Sequence, residues 1–211
     1  MDEPTDLELL ERWRAADMRA GERLVGRHFP AIRAYFLNKA SAEHEDLVQE
    51  TFARLASKRD SYRGASSFRV FLFGIARMIL FEHLRGRQRA GRFDPLEHSV
   101  ADLEGGRLSS LMAQRESHRQ LLAALRELPL VDQELLELYY WQKLTAGEIA
   151  EIQGLPERTI RSRVAAALKR AGKAHAAHAG RPLVHSDAEV EGWLAELKAE
   201  LSGLRIAAAA T

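Results

Sequence analysis

The sequence has no cysteine and no long apolar run, and each absence excludes a class of protein. Among 211 residues without cysteine there can be no disulfide framework, no thiol chemistry and no Cys-based zinc site. The most apolar stretch, residues 70–81, is short and contains Arg77, whereas a bilayer span needs roughly 20 apolar residues. Residues 1–4 carry no basic region leading into an apolar core, so no secretory signal is expected. We therefore expect a cytoplasmic protein without membrane association.

The net charge is only +1, but charge is unevenly distributed along the chain. Residues 1–92 carry 17 basic and 13 acidic side chains, and residues 119–174 carry nine and seven. Residues 93–118 and 175–211 are acidic, each with five acidic side chains against two and three basic ones. This alternation favours two nucleic-acid-facing units joined by an acidic tether, although an ordinary solvated surface explains charge alone equally well.

Nearly every periodic stretch has helical spacing and no strand pattern is present, so the predicted class is all-α. Capping boxes begin helices at Thr5 and Thr145, and Ser41 is expected to cap another. Helices are predicted at residues 5–18, 21–40, 42–58, 67–89, 116–128 and 131–142, from residue 145 to a turn at residues 153–155, from residue 156 to residue 173, and at residues 186–204. In the second helix, the side expected to be buried comprises Leu24, Val25, Phe29, Ile32, Phe36 and Leu37.

The helices group into two small domains, residues 1–92 and 116–174. Residues 93–115 between them contain Pro95, Gly105 and Gly106 among several acids, which predicts a flexible acidic linker. Residues 175–211 are expected to form an extension with one amphipathic helix.

Residues 143–173 have the pattern of a DNA-binding helix-turn-helix. After the helix that Thr145 caps, Gly154 suits the left-handed backbone of a turn, and Pro156 presets the next helix. That second helix has an apolar side (Ile160, Val164, Ala167 and Leu168) opposite a polar and basic one. Its first residues would enter the major groove, while Lys169, Arg170 and Lys173 further along would suit phosphates. A plain helical hairpin with a solvated face is the alternative.

Several segments resemble bacterial sigma factors of the sigma-70 family. Residues 144–150 (LTAGEIA) and 154–163 (GLPERTIRSR) look like the family's region 4. Residues 45–52 (EDLVQETF) and 67–72 (SFRVFL) are similar to region 2. The two regions occur in the family's order with a short linker and no region 3, an arrangement that resembles the extracytoplasmic-function (ECF) group. The resemblance covers roughly residues 5–174.

The resemblance implies a promoter-reading subunit that binds core RNA polymerase and opens promoter DNA. Core binding, to the clamp of the largest subunit, would use Asp46, Leu47, Gln49, Glu50 and Phe52. The −10 element would be bound by Tyr62, Arg63, Phe68, Arg69, Arg77, Arg85, Arg87 and Arg89. Within that set, Tyr62 and Phe68 would stack bases, although core burial is the competing interpretation for Phe68 and for Phe52.

Region 4 would bind the −35 element and the flap of the second-largest subunit. The implied DNA contacts are Thr145, Glu157, Arg158, Thr159, Arg161, Ser162, Arg163 and Lys169. The sequence departs from the family pattern at Pro156, where Ser or Thr is usual, and at Arg158, where a small residue is common. Phe71 and Met78 also replace the usual Trp and Asn.

Other interpretations remain open at this stage. A free-standing helix-turn-helix regulator explains residues 119–174 but not 45–52 or 67–89. An enzyme would need a nucleophile with its base, a phosphate loop or metal ligands, and none is recognised, so neither catalysis nor a cofactor is expected. His175, His178 and His185 lack the neighbouring ligands of a metal site. Residues 180–211 could regulate the protein by masking a binding face or by binding a partner such as an anti-sigma factor.

Overall fold

The regular structure of this protein, described here from a computed structural model, is helical. The structure describes residues 3–37, 39–40, 42–87, 94–95, 98–99 and 123–178. Within these ranges there is no strand, only one isolated bridge between Ser99 and Pro129, which confirms the all-α class. The chain divides into two compact units, residues 1–91 with 151–154 and residues 92–150 with 155–211. None of the described helices is long and apolar enough to cross a membrane.

The first two helices, α1 (Asp6–Arg14) and α2 (Met18–Leu37), are set by their caps. The predicted box at Thr5 is present: Glu8 N–H donates to Thr5 Oγ1 at 3.2 Å, and Thr5 N–H donates to the Glu8 carboxylate at 2.7 Å. The predicted ends were wrong, because Asp17 accepts from Ala20 N–H at 3.2 Å and caps α2 three residues early. Consequently α1 stops at Arg14 and the chain turns through Ala16, whose φ is +69°.

The next two helices are α3 (His44–Lys58) and α4 (Phe68–Arg87). The expected cap of α3 at Ser41 lies outside the described residues, and the helix begins after Glu43 without a side-chain cap. A 3₁₀ turn, Arg59–Ser61, follows α3 and leads into a loop where Gly64 adopts φ +73°. Glycine adopts this left-handed conformation more readily than other residues, so Gly64 suits the loop between α3 and α4.

Apolar side chains of α1–α4 form the core of the N-terminal unit. The largest fully buried apolar members are Leu9, Leu10, Leu24, Ile32, Tyr35, Phe36, Leu55, Leu72, Phe73, Ile79 and Leu80. One predicted core residue is misplaced: Phe29 is 43% exposed, because the buried side of α2 includes His28 instead. Val25 is half-buried. Sequence analysis also did not predict that Asp6 joins α1 to α2 by contacting Arg27 and His28 at 2.7 and 2.8 Å.

The C-terminal unit contains α5 (Leu130–Leu136), the first five residues of α6 (Ala146–Gln153) and α7 (Glu157–His178). Residues 123–126 are also helical, and a π-helical turn, Glu137–Trp141, continues α5. Helix α5 packs on α7 through apolar side chains that are nearly all inaccessible to solvent. The buried apolar side of α7 is the predicted one, with Ile160, Val164, Ala167 and Leu168 each at most 8% exposed.

Part of the predicted linker is fastened to the start of α5. Leu130 N–H donates to the carbonyl of His98 at 3.0 Å, and Val131 N–H donates to that of Pro95 at 3.2 Å. These bonds satisfy N–H groups of the first turn of α5, which has no side-chain cap. The segment predicted as a flexible linker therefore includes positions that belong structurally to the C-terminal unit. The predicted helices at 116–122 and 186–204 lie outside the described residues.

Candidate nucleic-acid interface

The helix-turn-helix is built from local signals that the sequence displays. Thr145 Oγ1 accepts from Glu148 N–H at 3.2 Å, and the Glu148 carboxylate accepts from Thr145 N–H at 2.9 Å. Gly154 has φ +66° and makes the turn, after which the Pro156 carbonyl accepts from Ile160 N–H at 3.2 Å. Pro156 thus stands at the cap of α7 rather than within its first turn. The predicted helix-turn-helix is present. The hydroxyl of Thr145, a residue predicted to contact DNA, caps α6.

The exposed side of α7 carries most of the predicted −35 contacts. Glu157, Arg158, Arg161, Ser162 and Lys169 are exposed, while Thr159 and Arg163 are half-buried. Ser162 Oγ donates to the Thr159 carbonyl at 3.0 Å. A helix with one buried and one basic exposed side can enter a major groove without disturbing its own core.

Two of these residues are joined on the helix surface. Arg161 donates from Nε and Nη2 to Oε1 of Glu157 at 3.0 and 2.5 Å, and this hydrogen bonding raises the pKa of Arg161. The other Glu157 oxygen would lie 3.7 Å from a Cβ built on Gly147 of α6. Glu157 therefore lies between α6 and Arg161. The Arg161 side chain is 73% exposed, so a base or phosphate can still reach it.

Arg170 has a structural role that sequence reasoning missed. Its Nε and Nη2 donate to the two carboxylate oxygens of Asp132 in α5, at 2.5 and 2.9 Å. The Asp132 side chain is 7% exposed and that of Arg170 is 49% exposed. The hydrogen bonds to Asp132 raise the pKa of Arg170. Arg170 was expected to contact phosphate, and two of its nitrogens, Nε and Nη2, bind Asp132, whereas Lys169 and Lys173 are exposed.

In the N-terminal unit, the aromatic residues predicted to stack bases lie in the core. Tyr62 is 8% exposed and Phe68 is 4% exposed. Their rings contact each other edge to face, and Tyr62 OH donates to the Ser66 carbonyl at 2.5 Å. Burial raises the pKa of Tyr62. In this conformation neither ring is accessible for stacking on a base. Both rings instead support the loop between α3 and α4.

The predicted −10 cations follow the loop and α4. Arg63 and Arg85 are exposed, and Arg69 is half-buried. The Arg77 guanidinium lies over the Phe81 ring, 4.2 Å from its centroid. Arg87 is the last residue of α4, and Arg89 lies outside the described residues. The loop and α4 therefore carry several described arginines, of which Arg63 and Arg85 are exposed.

The predicted core-binding residues divide between the surface and the core of α3. Asp46, Gln49 and Glu50 are exposed, but Leu47 is 4% exposed and packs inside the unit. In this conformation Leu47 packs α3 against the rest of the unit. Glu50 also binds Arg54 at 2.5 Å, and Arg54 reaches Glu82 of α4 at 2.8 Å.

Two phenylalanines form a small aromatic pair that joins α2 and α3. Phe52 is half-buried and its ring stacks on the exposed Phe29, with centroids 6.0 Å apart and planes 16° apart. Sequence analysis placed Phe29 in the core because it lies four residues after Val25 and three before Ile32, the spacing of one helical side. A partly exposed aromatic pair suits a protein partner better than nucleic acid.

Arg14, the last residue of α1, was also missed. Its guanidinium donates to the carbonyls of Arg59 and Tyr62 in the loop before α4. Sequence spacing gives no signal of this contact, because 45 and 48 residues separate the partners. Among the described residues, no three His, Asp or Glu side chains gather as a metal site would need.

Comparison with known proteins gives two family matches. The Sigma-70 region 2 model matches residues 24–90, and the Sigma-70, region 4 model matches residues 118–170. A probable RNA polymerase sigma-C factor of Mycobacterium bovis is 34% identical over 137 residues, 64% of this chain and 70% of that protein. An ECF RNA polymerase sigma-E factor of Haemophilus influenzae is 29% identical over 172 residues, covering 76% and 89% of the two chains.

A solved structure is similar over most of its length. It is the sigma factor RpoE of Bartonella quintana in complex with the anti-sigma factor NepR, at 27% identity and a TM-score of 0.58. The similarity covers 72% of this chain and 94% of that one. Two helical units of this type define sigma factors, which direct transcription initiation by RNA polymerase. The chain belongs to the sigma-70 family, and its relatives place it in the ECF group.

Proposed function

We propose that this sigma factor reads the −35 element with the exposed side of α7. Arg158, Arg161 and Arg163 would contact base edges and nearby phosphates, and Lys169 would contact the backbone further along. Thr145 and the N-terminus of α6 would face the phosphates beside the groove. The exposure of these side chains opposite a buried apolar side supports the assignment.

The proposed −10 site is the loop between α3 and α4 with the cations of α4. Arg63 and Arg69 would hold the separated strand, and Arg77, Arg85, Arg87 and Arg89 would hold the duplex upstream. Tyr62 and Phe68 would act as the support of this loop. Binding to unpaired bases would offset unpairing, which costs a few kcal/mol per base. The proposed activity is therefore binding and strand capture, without bond-making chemistry and without a cofactor.

Core polymerase would dock on the exposed side of α3. Asp46, Gln49 and Glu50 would supply polar contacts, and Phe52 with Phe29 would supply the apolar ones. Leu47, which is buried, would contribute by packing α3 in place. Region 4 would bind the flap of the second-largest polymerase subunit. The protein would act in the cytoplasm. Either an anti-sigma factor or residues 180–211 would regulate it.

The observation that carries the proposal is the presence of both regions in one chain. A free-standing regulator would account for the helix-turn-helix but leaves the region 2 match, the acidic side of α3 and the basic α4 without a role. Binding to core polymerase therefore separates the two functions.

The test measures association with purified core polymerase. Asp46→Lys reverses an exposed charge on the proposed face and should weaken association by roughly tenfold or more, since like charges at an interface are costly. Glu3→Lys is the control, because Glu3 is an exposed acid that precedes α1 and lies on neither α2 nor α3. Full association by Asp46→Lys would contradict the proposed face, and no association by the unaltered chain would contradict the function.

A further inference from the structure

Helix α1 holds the loop that precedes α4. Arg14, at the C-terminal end of α1, donates from Nε to the Arg59 carbonyl at 3.1 Å and from Nη2 to the same oxygen. Nη2 also donates to the Tyr62 carbonyl at 2.6 Å. One guanidinium thus bridges two backbone carbonyls that lie three residues apart, and it fixes the turn between them.

The Arg14 fork is itself held in position. Nη1 binds Glu11 one turn earlier in α1 at 2.6 Å, and Nε lies 3.8 Å from the Asp60 carboxylate. The side chain is 21% exposed, so these bonds are partly shielded from water. Beside it, the Arg59 guanidinium lies over the Trp13 ring, 5.4 Å from the centroid. Two consecutive residues of α1 therefore contact the loop.

The remainder of the loop is closed by its own residues. Tyr62 OH donates to the Ser66 carbonyl at 2.5 Å, and Ser67 Oγ accepts from Val70 N–H at 3.3 Å at the start of α4. Between these bonds lie the exposed Arg63 and the left-handed Gly64. The loop has one end fixed by Arg14 and the other by the cap of α4, which leaves Arg63 on a defined, exposed turn.

We propose that Arg14 is a positioning residue for −10 strand capture, and that α1 is a functional part of the −10 reader. This rests on the proposed −10 role of the loop. Helix α1 lies before residues 24–90, which the region 2 model matches, so the inference adds an element to that unit. Lysine could not replace Arg14, because a single ammonium lacks the planar fork that spans two carbonyls.

The experiment uses holoenzyme assembled from core polymerase and full-length protein. Arg14→Gln and Arg14→Lys are compared with Arg27→Gln. Arg27 is a matched control, since its side chain is 27% exposed and fastens α1 to α2 through Asp6 and the Pro4 carbonyl without contacting the loop. The readouts are the rate of open-complex formation on a promoter that this holoenzyme transcribes, and binding of a single-stranded oligonucleotide carrying its −10 sequence.

Both Arg14 variants should lower open-complex formation and oligonucleotide binding by roughly tenfold, because the loop must then be ordered during capture. Their binding to core polymerase and to −35 duplex should stay unchanged, and amide exchange should accelerate at residues 59–66. Arg27→Gln should behave as the unaltered chain in both capture assays. Capture by Arg14→Lys at the unaltered level would overturn the proposal, as would equal losses in Arg14→Gln and Arg27→Gln. A holoenzyme that opens no promoter with the unaltered chain would instead contradict the proposed function.

Discussion

Among individual residues, Gly21 and Trp13 make a close packing contact between α2 and α1. A Cβ built on Gly21 would lie 2.7 Å from three atoms of the Trp13 indole, whereas one built on Gly26 of the same helix meets nothing within 4 Å. The indole is 6% exposed, and it also underlies Arg59. Gly21 is therefore required by packing, and Gly26 is not.

Alanine substitutions at these two glycines should have opposite effects. Gly21→Ala should lower the free energy of unfolding by about 1–3 kcal/mol, because the ring must move or α1 must shift. Gly26→Ala should raise it by about 0.5–1 kcal/mol, since alanine is the better helix former. Denaturant unfolding of both variants measures this, and stabilisation by Gly21→Ala would show that the ring does not rest on α2.

His28 makes the N-terminal unit sensitive to pH. Burial lowers the pKa of His28 below 6.5, and the hydrogen bond to Asp6 offsets this only in part. The folded state binds the proton less readily than the unfolded state. The contribution of neutral His28 to the free energy of unfolding is therefore fully present above about pH 6.5, and it is lost as the pH falls through the pKa of His28 in the folded state.

The variant His28→Gln keeps a hydrogen-bond donor but cannot titrate. Its free energy of unfolding should vary less between pH 7 and pH 5 than that of the unaltered protein. Unfolding curves across this range, together with the amide exchange of α1 and α2, would measure the difference. Identical pH dependence in the two proteins would show that His28 does not contribute.

Helix α7 carries two arginines to which we assign different roles: Arg170 stabilises the fold and Arg161 is proposed to bind DNA. Arg170→Ala leaves the carboxylate of Asp132 buried without its partner and should destabilise the contact between α5 and α7 by about 1–3 kcal/mol. Arg161→Ala removes an exposed side chain and should change stability by less than about 0.5 kcal/mol, while it weakens −35 binding by about 1–3 kcal/mol. Amide exchange of α5 and duplex binding measure the two effects. A loss of stability in Arg161→Ala together with a loss of −35 binding alone in Arg170→Ala would contradict these two roles.

Local elements could be predicted from the sequence, and contacts between distant segments could not. The caps at Thr5 and Thr145 and the turn at Gly154 involve residues a few positions apart, so spacing reveals them. The start of α2 was predicted late because the Asp17 cap precedes a helix whose first apolar residues are sparse. Arg14 and the loop, like Asp132 and Arg170, meet only after folding. The burial of Leu47 and Tyr62 was likewise not predicted, because it depends on the neighbouring helices, whereas that of Phe68 was the competing interpretation of its sequence position.

For the molecule as a whole, two promoter elements are proposed to be bound by one chain, and both proposed surfaces depend on cations. Each phosphate contact releases counterions, so promoter affinity of the holoenzyme should fall steeply between about 50 and 200 mM salt. Arg161→Ala and Arg85→Ala should each reduce the slope of log affinity against log salt by about one if each side chain meets one phosphate. An unchanged slope in both variants would place the DNA elsewhere.

Run-off transcription from genomic fragments with purified core polymerase decides whether this chain acts as a sigma factor. We predict start sites that appear only when this protein is added, and that weaken when Asp46→Lys or Arg161→Ala replaces the unaltered chain. The absence of any start site dependent on the protein would contradict its action as a sigma factor.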